Sequence, residues 1–338
     1  MAIPTAGNLK LDEKSILITG GTNLLGEKFV AHILENFEPN QLVVLSTDEL
    51  ELHNLQQKFS TREYPCLQYI IGGVRDRDVL NRAFKGIDIV IHTEFLHLAY
   101  VVEYNPFEAV KTNIQGAANI VDMAIDRKVE KVISISTVSA SNPGMLAGLA
   151  ERTSEKLFVA GNNYSGHDGT HFSVVRIGSV FGSKENIVAK FMNMNKAGTL
   201  SISDSRRSRF WMTYVDVVNF VIFSIEQMTK GEVFIPKLPS IREVDLARAI
   251  APDREIKVSG LDPSENIHEV LLSEDDSQFA LEYESYYSIV PFYLDIGRMI
   301  YLGPTHGVPC YDGFRYSSDT NKNWLSVENL KDILGLNY

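Results

Sequence analysis

Cysteine is nearly absent from this chain: Cys66 and Cys310 are the only two, far apart and without the paired spacing of a zinc site. Both are expected to be reduced and buried. Positive charge is also in deficit, with 32 Lys and Arg against 43 Asp and Glu. The resulting net charge of −11 repels nucleic acid and anionic membrane surfaces at long range. Long apolar runs are missing as well. The longest such segment, Val215 to Met228, contains Asp216, Asn219 and Glu226, is too short to span a bilayer, and reads as a core helix. The opening residues Met1 to Gly7 show no basic region followed by an apolar stretch, so no secretory signal is expected and the protein is read as cytoplasmic. No repeat or low-complexity tract interrupts the sequence.

What is present is an alternation of short apolar runs with helical spacing. Ser15–Thr19 runs into a Gly-rich turn, and Glu27 to Phe37 follows with Phe29, Val30, Ile33 and Leu34 on one face. Further strands are expected at Leu42–Leu45, Cys66–Ile71, Ile87–His92, Lys131–Ser136 and Phe172–Ile177. Helices are expected at Glu49–Phe59, Arg77–Phe84, Phe107–Arg127 and up to Asn163. Strands separated by helices imply parallel crossover units. The expected fold is therefore α/β: a Rossmann-type, doubly wound parallel sheet over residues 1–180, with a smaller substrate lobe over 181–338 that returns to the sheet.

Phosphate chemistry is suggested by Gly20-Gly21-Thr22-Asn23-Leu24-Leu25-Gly26. A glycine turn before a helix lets a pyrophosphate approach the backbone and the positive end of the helix. Asn23 takes the middle glycine's place; it tolerates positive φ, but its side chain projects toward the pyrophosphate. A purely structural turn accounts for the pattern equally well. Asp48 follows the second strand at the spacing of a ribose-binding acid, and serves as well to cap the helix at Glu49. His92 reads as a core histidine, and Ser134, Ser136 and Thr137 as polar groups at a strand end. The cluster Arg206, Arg207 and Arg209 fits either a diphosphate or a solvated or subunit-facing basic patch. Glu274-Asp275-Asp276 reads as a solvated turn, Trp211 and Trp324 as packing residues, and no metal site is assigned.

Several stretches resemble one branch of the extended short-chain dehydrogenase/reductases, the inverting UDP-N-acetylglucosamine 4,6-dehydratases. Among them are Glu103 to Ala109, Lys111-Thr112-Asn113, Ser154 to Ala160, Arg209-Phe210-Trp211, His268-Glu269-Val270 and Tyr316 to Asn321. The resemblance implies an NAD or NADP site at Gly20, Thr22, Asn23, Leu24, Gly26, Asp48 and Asn113, and UDP-sugar contacts at Arg209 and Glu265. It also implies a Tyr-x-x-x-Lys pair, in which the Tyr accepts a sugar hydroxyl proton and the Lys lowers its pKa. Here that pair is Ala147 and Glu151, and the family's Asp and Lys for water elimination are Val138 and Ser139. The family acid that reads adenine is Gly73, and its small residues after the fourth strand are Thr93, Glu94 and Phe95.

With these departures the chain is expected to be a catalytically impaired dehydratase-like protein that binds NAD or NADP weakly or not at all. Its working role is then association with itself or with an intact family member in glycan biosynthesis. The alternative is an active dehydratase or epimerase that uses substitute residues.

Overall fold

A computed structural model describes residues 3–4, 11–166, 168–180, 187–196, 200–262, 265–292 and 307–336. The strands are β1 (Ser15–Thr19), β2 (Gln41–Ser46), β3 (Leu67–Ile71), β4 (Ile89–His92), β5 (Lys131–Thr137), β6 (His171–Ile177), β7 (Ser179–Val180), β8 (Ser201–Ile202), β9 (Ser208–Met212), β10 (Val233–Pro236), β11 (Ser240–Arg242), β12 (Lys257–Val258), β13 (Val270–Leu272), β14 (Ala280–Glu282), β15 (Tyr286–Ile289), β16 (Val308–Pro309) and β17 (Tyr316–Ser317). Between them run α1 (Leu24–Asn36), α2 (Glu49–Lys58), α3 (Arg77–Ala83), α4 (Ala99–Tyr104), α5 (Pro106–Ala109), α6 (Gly116–Asp126), α7 (Leu146–Ser165), α8 (Ile187–Lys196), α9 (Tyr214–Gln227) and α10 (Glu243–Ile250).

Ten strands form one sheet in the order β3-β2-β1-β4-β5-β6-β10-β15-β14-β16. The first seven in that row are parallel; β15, β14 and β16 continue it antiparallel. Parallel strands covered by helices on both faces should be apolar nearly throughout. Ile16–Ile18, Leu42–Leu45, Ile89–Ile91 and Val132–Ile133 are all buried accordingly. The doubly wound sheet expected from the alternation is thus present, and the strand order reverses between the parallel neighbours β1 and β4, where such sheets open a crevice at their carboxyl ends. A separate core of Val188, Phe191, Leu200, Trp211, Ile241, Leu246 and Leu330 lies outside that sheet.

Four expectations require correction. The single helix expected over Phe107–Arg127 is three pieces: α5, a π-turn at Val110–Gln115, and α6. The wider turn brings the consecutive residues Thr112 and Asn113 both inward, a shift that 3.6-residue periodicity cannot reveal. Cys66 and Cys310 are free but only half-buried, because each lies at the margin of the sheet next to β3 or β16. Glu274-Asp275-Asp276 is not a solvated turn throughout. Asp276 is buried because Arg176, in the middle of β6, has to be neutralised there. Finally, Asn23 has φ −66° and ψ 163°, so the left-handed tolerance expected of it is not used.

Candidate functional site at the switch point

The glycine turn closes the crevice floor. Gly20 adopts φ +66°, a conformation that favours glycine. A Cβ on Gly26 would lie 2.6 Å from Gly21 Cα and 2.7 Å from Gly20 O, so only glycine lets α1 pack this tightly on the turn. Asn23 caps α1: its Oδ1 accepts from Gly26 N at 2.8 Å, and its Nδ2 donates to Thr93 O and Thr93 Oγ1, each at 3.0 Å. One of the helix-terminal N–H groups that attract anions is therefore satisfied from within. Thr22 Oγ1 bonds Ser46 Oγ at 2.6 Å, and Leu24 begins α1 half-buried. Asp48 caps α2, accepting from Glu51 N at 2.9 Å, and borders an open hollow with Thr47, Glu49, Leu50 and His53.

At the far end of the crevice, Asn113 holds the chain that leaves β4. Its Oδ1 accepts from Leu96 N and its Nδ2 donates to Leu96 O, both at 2.8 Å. Both polar ends of the amide are thereby occupied by backbone. His92 is indeed a core histidine: it bonds Thr19 Oγ1 at 2.7 Å, lies 5.4 Å from the Phe158 ring, and burial drives its pKa down to about 3. A small enclosed space of about 10 Å³, enough for a single water, is bounded by His92, Phe95, Asn113, Ser134, Ser136 and Glu151.

The Tyr-x-x-x-Lys positions lie on α7. Ala147 is buried against Val102 and Ala109, with no atom that can exchange a proton. Glu151, one turn on, is also buried and accepts from both Thr137 N and Thr137 Oγ1. Burial and the neighbouring Glu155 push its carboxyl up to about 7 against those two donors. A full negative charge, which an exposed glutamate would carry, is therefore disfavoured at this position. Val138 and Ser139 sit in the short turn after β5, the first half-buried and the second exposed. Ser136 is engaged by Glu155, and Glu155 by Arg176 and Arg152.

Arg209 and Glu265 belong to one ionic cluster. Arg209 Nη2 is 3.1 Å from Glu243 Oε1 and its Nε is 3.6 Å from Glu269 Oε1. Arg207 is 3.2 Å from the same Glu243 oxygen and donates to Glu265 at 2.7 Å. Arg206 stands apart, exposed and paired with Asp204. Solvation, one of the expectations for the arginine cluster, holds for Arg206 alone. Sequence reasoning missed Glu243 and Arg176, although an Arg within the apolar run of β6 is itself a signal that buried carboxylates must face it.

Residues 16–291 match the profile of a family described as polysaccharide biosynthesis protein. The chain belongs to that family. It is 40% identical over 329 residues, 96% of this chain and 98% of the relative, to a UDP-N-acetylglucosamine 4,6-dehydratase (inverting) of Campylobacter jejuni subsp. jejuni. A UDP-glucose 4-epimerase of Rickettsia canadensis is 30% identical over 336 residues, 96% and 97% of the two chains. Among solved structures, Pen from Bacillus thuringiensis superposes with a TM-score of 0.84 at 29% identity, covering 97% of this chain and 100% of its own. A dTDP-glucose 4,6-dehydratase, DesIV from Streptomyces venezuelae, solved with NAD and TYD bound, gives 0.66 at 17% identity over 75% and 86%, a likeness of fold. Among the described residues no helix is long and apolar enough to cross a membrane.

Proposed function

We propose that this chain is a catalytically impaired member of its family, a binding or partner subunit in polysaccharide or glycan biosynthesis rather than a dehydratase. The observation that carries this reading is the buried Glu151 on Thr137, one helical turn from Ala147. A dehydratase of this kind needs a phenol to accept a proton and a cation to lower that phenol's pKa. Here the first position offers a methyl group and the second a carboxyl. General acid–base groups contribute about 10²–10⁴-fold in rate and act as a unit, so their joint loss leaves negligible turnover.

A dinucleotide, NAD or NADP, would lie along Gly20, Thr22, Asn23, Leu24, Gly26 and Asp48 with Asn113 at its far end, and would bind weakly. A UDP-sugar would meet Arg209 and Glu265 in the lobe after residue 180. Self-association or pairing with an intact family member, in the cytoplasm, is the working role. Exposed apolar side chains on α4 and α5 support this, with Tyr104 at 85% and Phe107 at 78% exposure.

Full-length identity to a dehydratase favours a second reading, an active NAD(P)-dependent dehydratase or epimerase with substitute residues. One assay separates the two. Purified protein, free of host dehydratase, is incubated with UDP-N-acetylglucosamine and either dinucleotide. No 4-keto-6-deoxy product above the no-enzyme control is expected; product well above it selects the second reading.

A further inference from the structure

After β4 the chain turns over the crevice through Thr93, Glu94 and Phe95. The Glu94 backbone lies within 3.0 Å of where a Cβ on Gly20 would be, so this turn rests directly on the glycine loop. Its side chain reaches away from the glycine loop toward the segment that follows β3. A Cβ built on Gly73 would lie 2.8 Å from Glu94 Oε1 and 2.6 Å from Thr47 Cγ2. Glu94 Oε1 is 3.4 Å from Val74 N, a long hydrogen bond, while Glu94 Oε2 is buried with no hydrogen-bond partner.

An acid held this way is costly. A carboxyl oxygen taken out of water without a donor loses its hydration and gains nothing in return. Burial pushes this carboxyl up to about 7, with the Val74 amide and Arg75 pulling the other way. The turn itself asks for no acid, since the backbone contacts of residue 94 would be the same with a methyl side chain. Its position explains more. In a doubly wound sheet the pyrophosphate lies at the N-terminus of the first helix, the acid after the second strand holds the ribose, and the base extends beyond it toward the third strand. Asp48 follows β2 and Gly73 follows β3, so the Glu94 carboxyl stands in the base end of the crevice.

We propose that Gly73 and Glu94 form a coupled pair that determines whether this crevice admits an adenine nucleotide. The Glu94 carboxyl fills the base end, and the missing side chain at residue 73 is what lets it lie there. The inference deepens the weak-dinucleotide reading and rests on it. It assigns that weakness to occupancy by one side chain rather than to the glycine turn.

Calorimetric titration of NAD into the native protein, Glu94→Ala and Glu94→Gln tests the pair, with thermal melting to confirm that each is folded. Weak binding is expected for the native protein and for the nearly isosteric Gln variant. Binding roughly tenfold tighter or more, about 1.4 kcal/mol per factor of ten, is expected for Glu94→Ala. Should that variant fail to fold, Glu94→Asp withdraws the carboxyl by one methylene and is expected to tighten NAD in the same direction. An independent arm needs no ligand: Gly73→Ala should lower the melting temperature more in the native background than in Glu94→Ala, because one of its two collisions is then gone. Weak native binding with no gain in Glu94→Ala overturns the assignment to Glu94. A Gln variant as tight as the Ala variant assigns the effect to charge and overturns occupancy. Tight binding by the native protein instead overturns the weak-dinucleotide reading itself.

Discussion

Arg176 and Glu155 form a two-pronged ion pair shut away from water, Nε to Oε1 at 3.0 Å and Nη2 to Oε2 at 2.8 Å. The guanidinium continues to Leu271 O at 2.7 Å and Asp276 Oδ2 at 3.3 Å, so β6, α7 and the segment around β13 meet on one side chain. Removing one partner of such a group leaves the others charged and buried. Arg176→Met is expected to cost about 3–5 kcal/mol. Urea unfolding followed by circular dichroism measures it, and a loss below about 1 kcal/mol would show that the carboxylates find water or protons elsewhere.

Glu151 provides a pH signature. Its carboxyl has an ordinary value of 4.5 and is raised to about 7 in the fold, so the folded chain holds a proton that the unfolded chain releases. Its contribution to stability is full below the ordinary value, declines as pH rises from about 4.5 to 7, and stays lost above. Glu151→Gln removes this dependence while keeping an acceptor for Thr137 N. The variant should match the native protein near pH 5 and exceed it near pH 8 by on the order of 1–3 kcal/mol. Denaturation curves at the two pH values check the trend. A difference that does not change with pH would mean that Glu151 stays ionised.

Restoring the missing pair should not restore turnover. Ala147 is packed against Val102 and Ala109, so Ala147→Tyr must displace buried neighbours at a cost of about 1–3 kcal/mol. Glu151→Lys gives up both bonds from Thr137, and Val138 and Ser139 still lack the elimination groups. The double variant is expected to melt at lower temperature than the native protein and to yield no 4-keto-6-deoxy sugar. Product from this variant would show that the two positions alone held back catalysis.

Self-association is tested on the α4–α5 surface. Light scattering of the native protein at micromolar concentration should give more than the monomer mass. Tyr104→Glu with Phe107→Glu should shift it toward monomer with melting temperature little changed, because both side chains already face solvent. A native monomer that also fails to capture an intact dehydratase from its own organism would remove the basis of the partner role.

Much of the fold was legible in the sequence because parallel strands, buried on both faces, announce themselves as apolar runs. Ile16–Ile18 and Leu42–Leu45 lie where their composition placed them. The cap at Asp48 was legible too: it precedes a helix and accepts a bond from it. What escaped depends on residues distant in sequence. Nothing local to Asn113 indicates that its amide spans both polar atoms of Leu96, and nothing near Gly73 announces a carboxyl from position 94. Periodicity assumes an uninterrupted helix, so it could not register the π-turn that turns Thr112 inward beside Asn113. The candidate site residues were chosen by motif, whereas their present partners, such as Glu243 between Arg207 and Arg209, follow from tertiary approach alone.

The Asn113 amide has a mechanical consequence. Because it grips both the N–H and the carbonyl of Leu96, the chain over the crevice is hinged to the π-turn like a page to its binding. Phe95 cannot swing away from His92 and Glu151 unless those two bonds break or the π-turn moves with it. Amide protons of residues 94–97 and 110–115 should therefore exchange with solvent through a shared opening, at rates that change together whenever anything enters or leaves the space beneath.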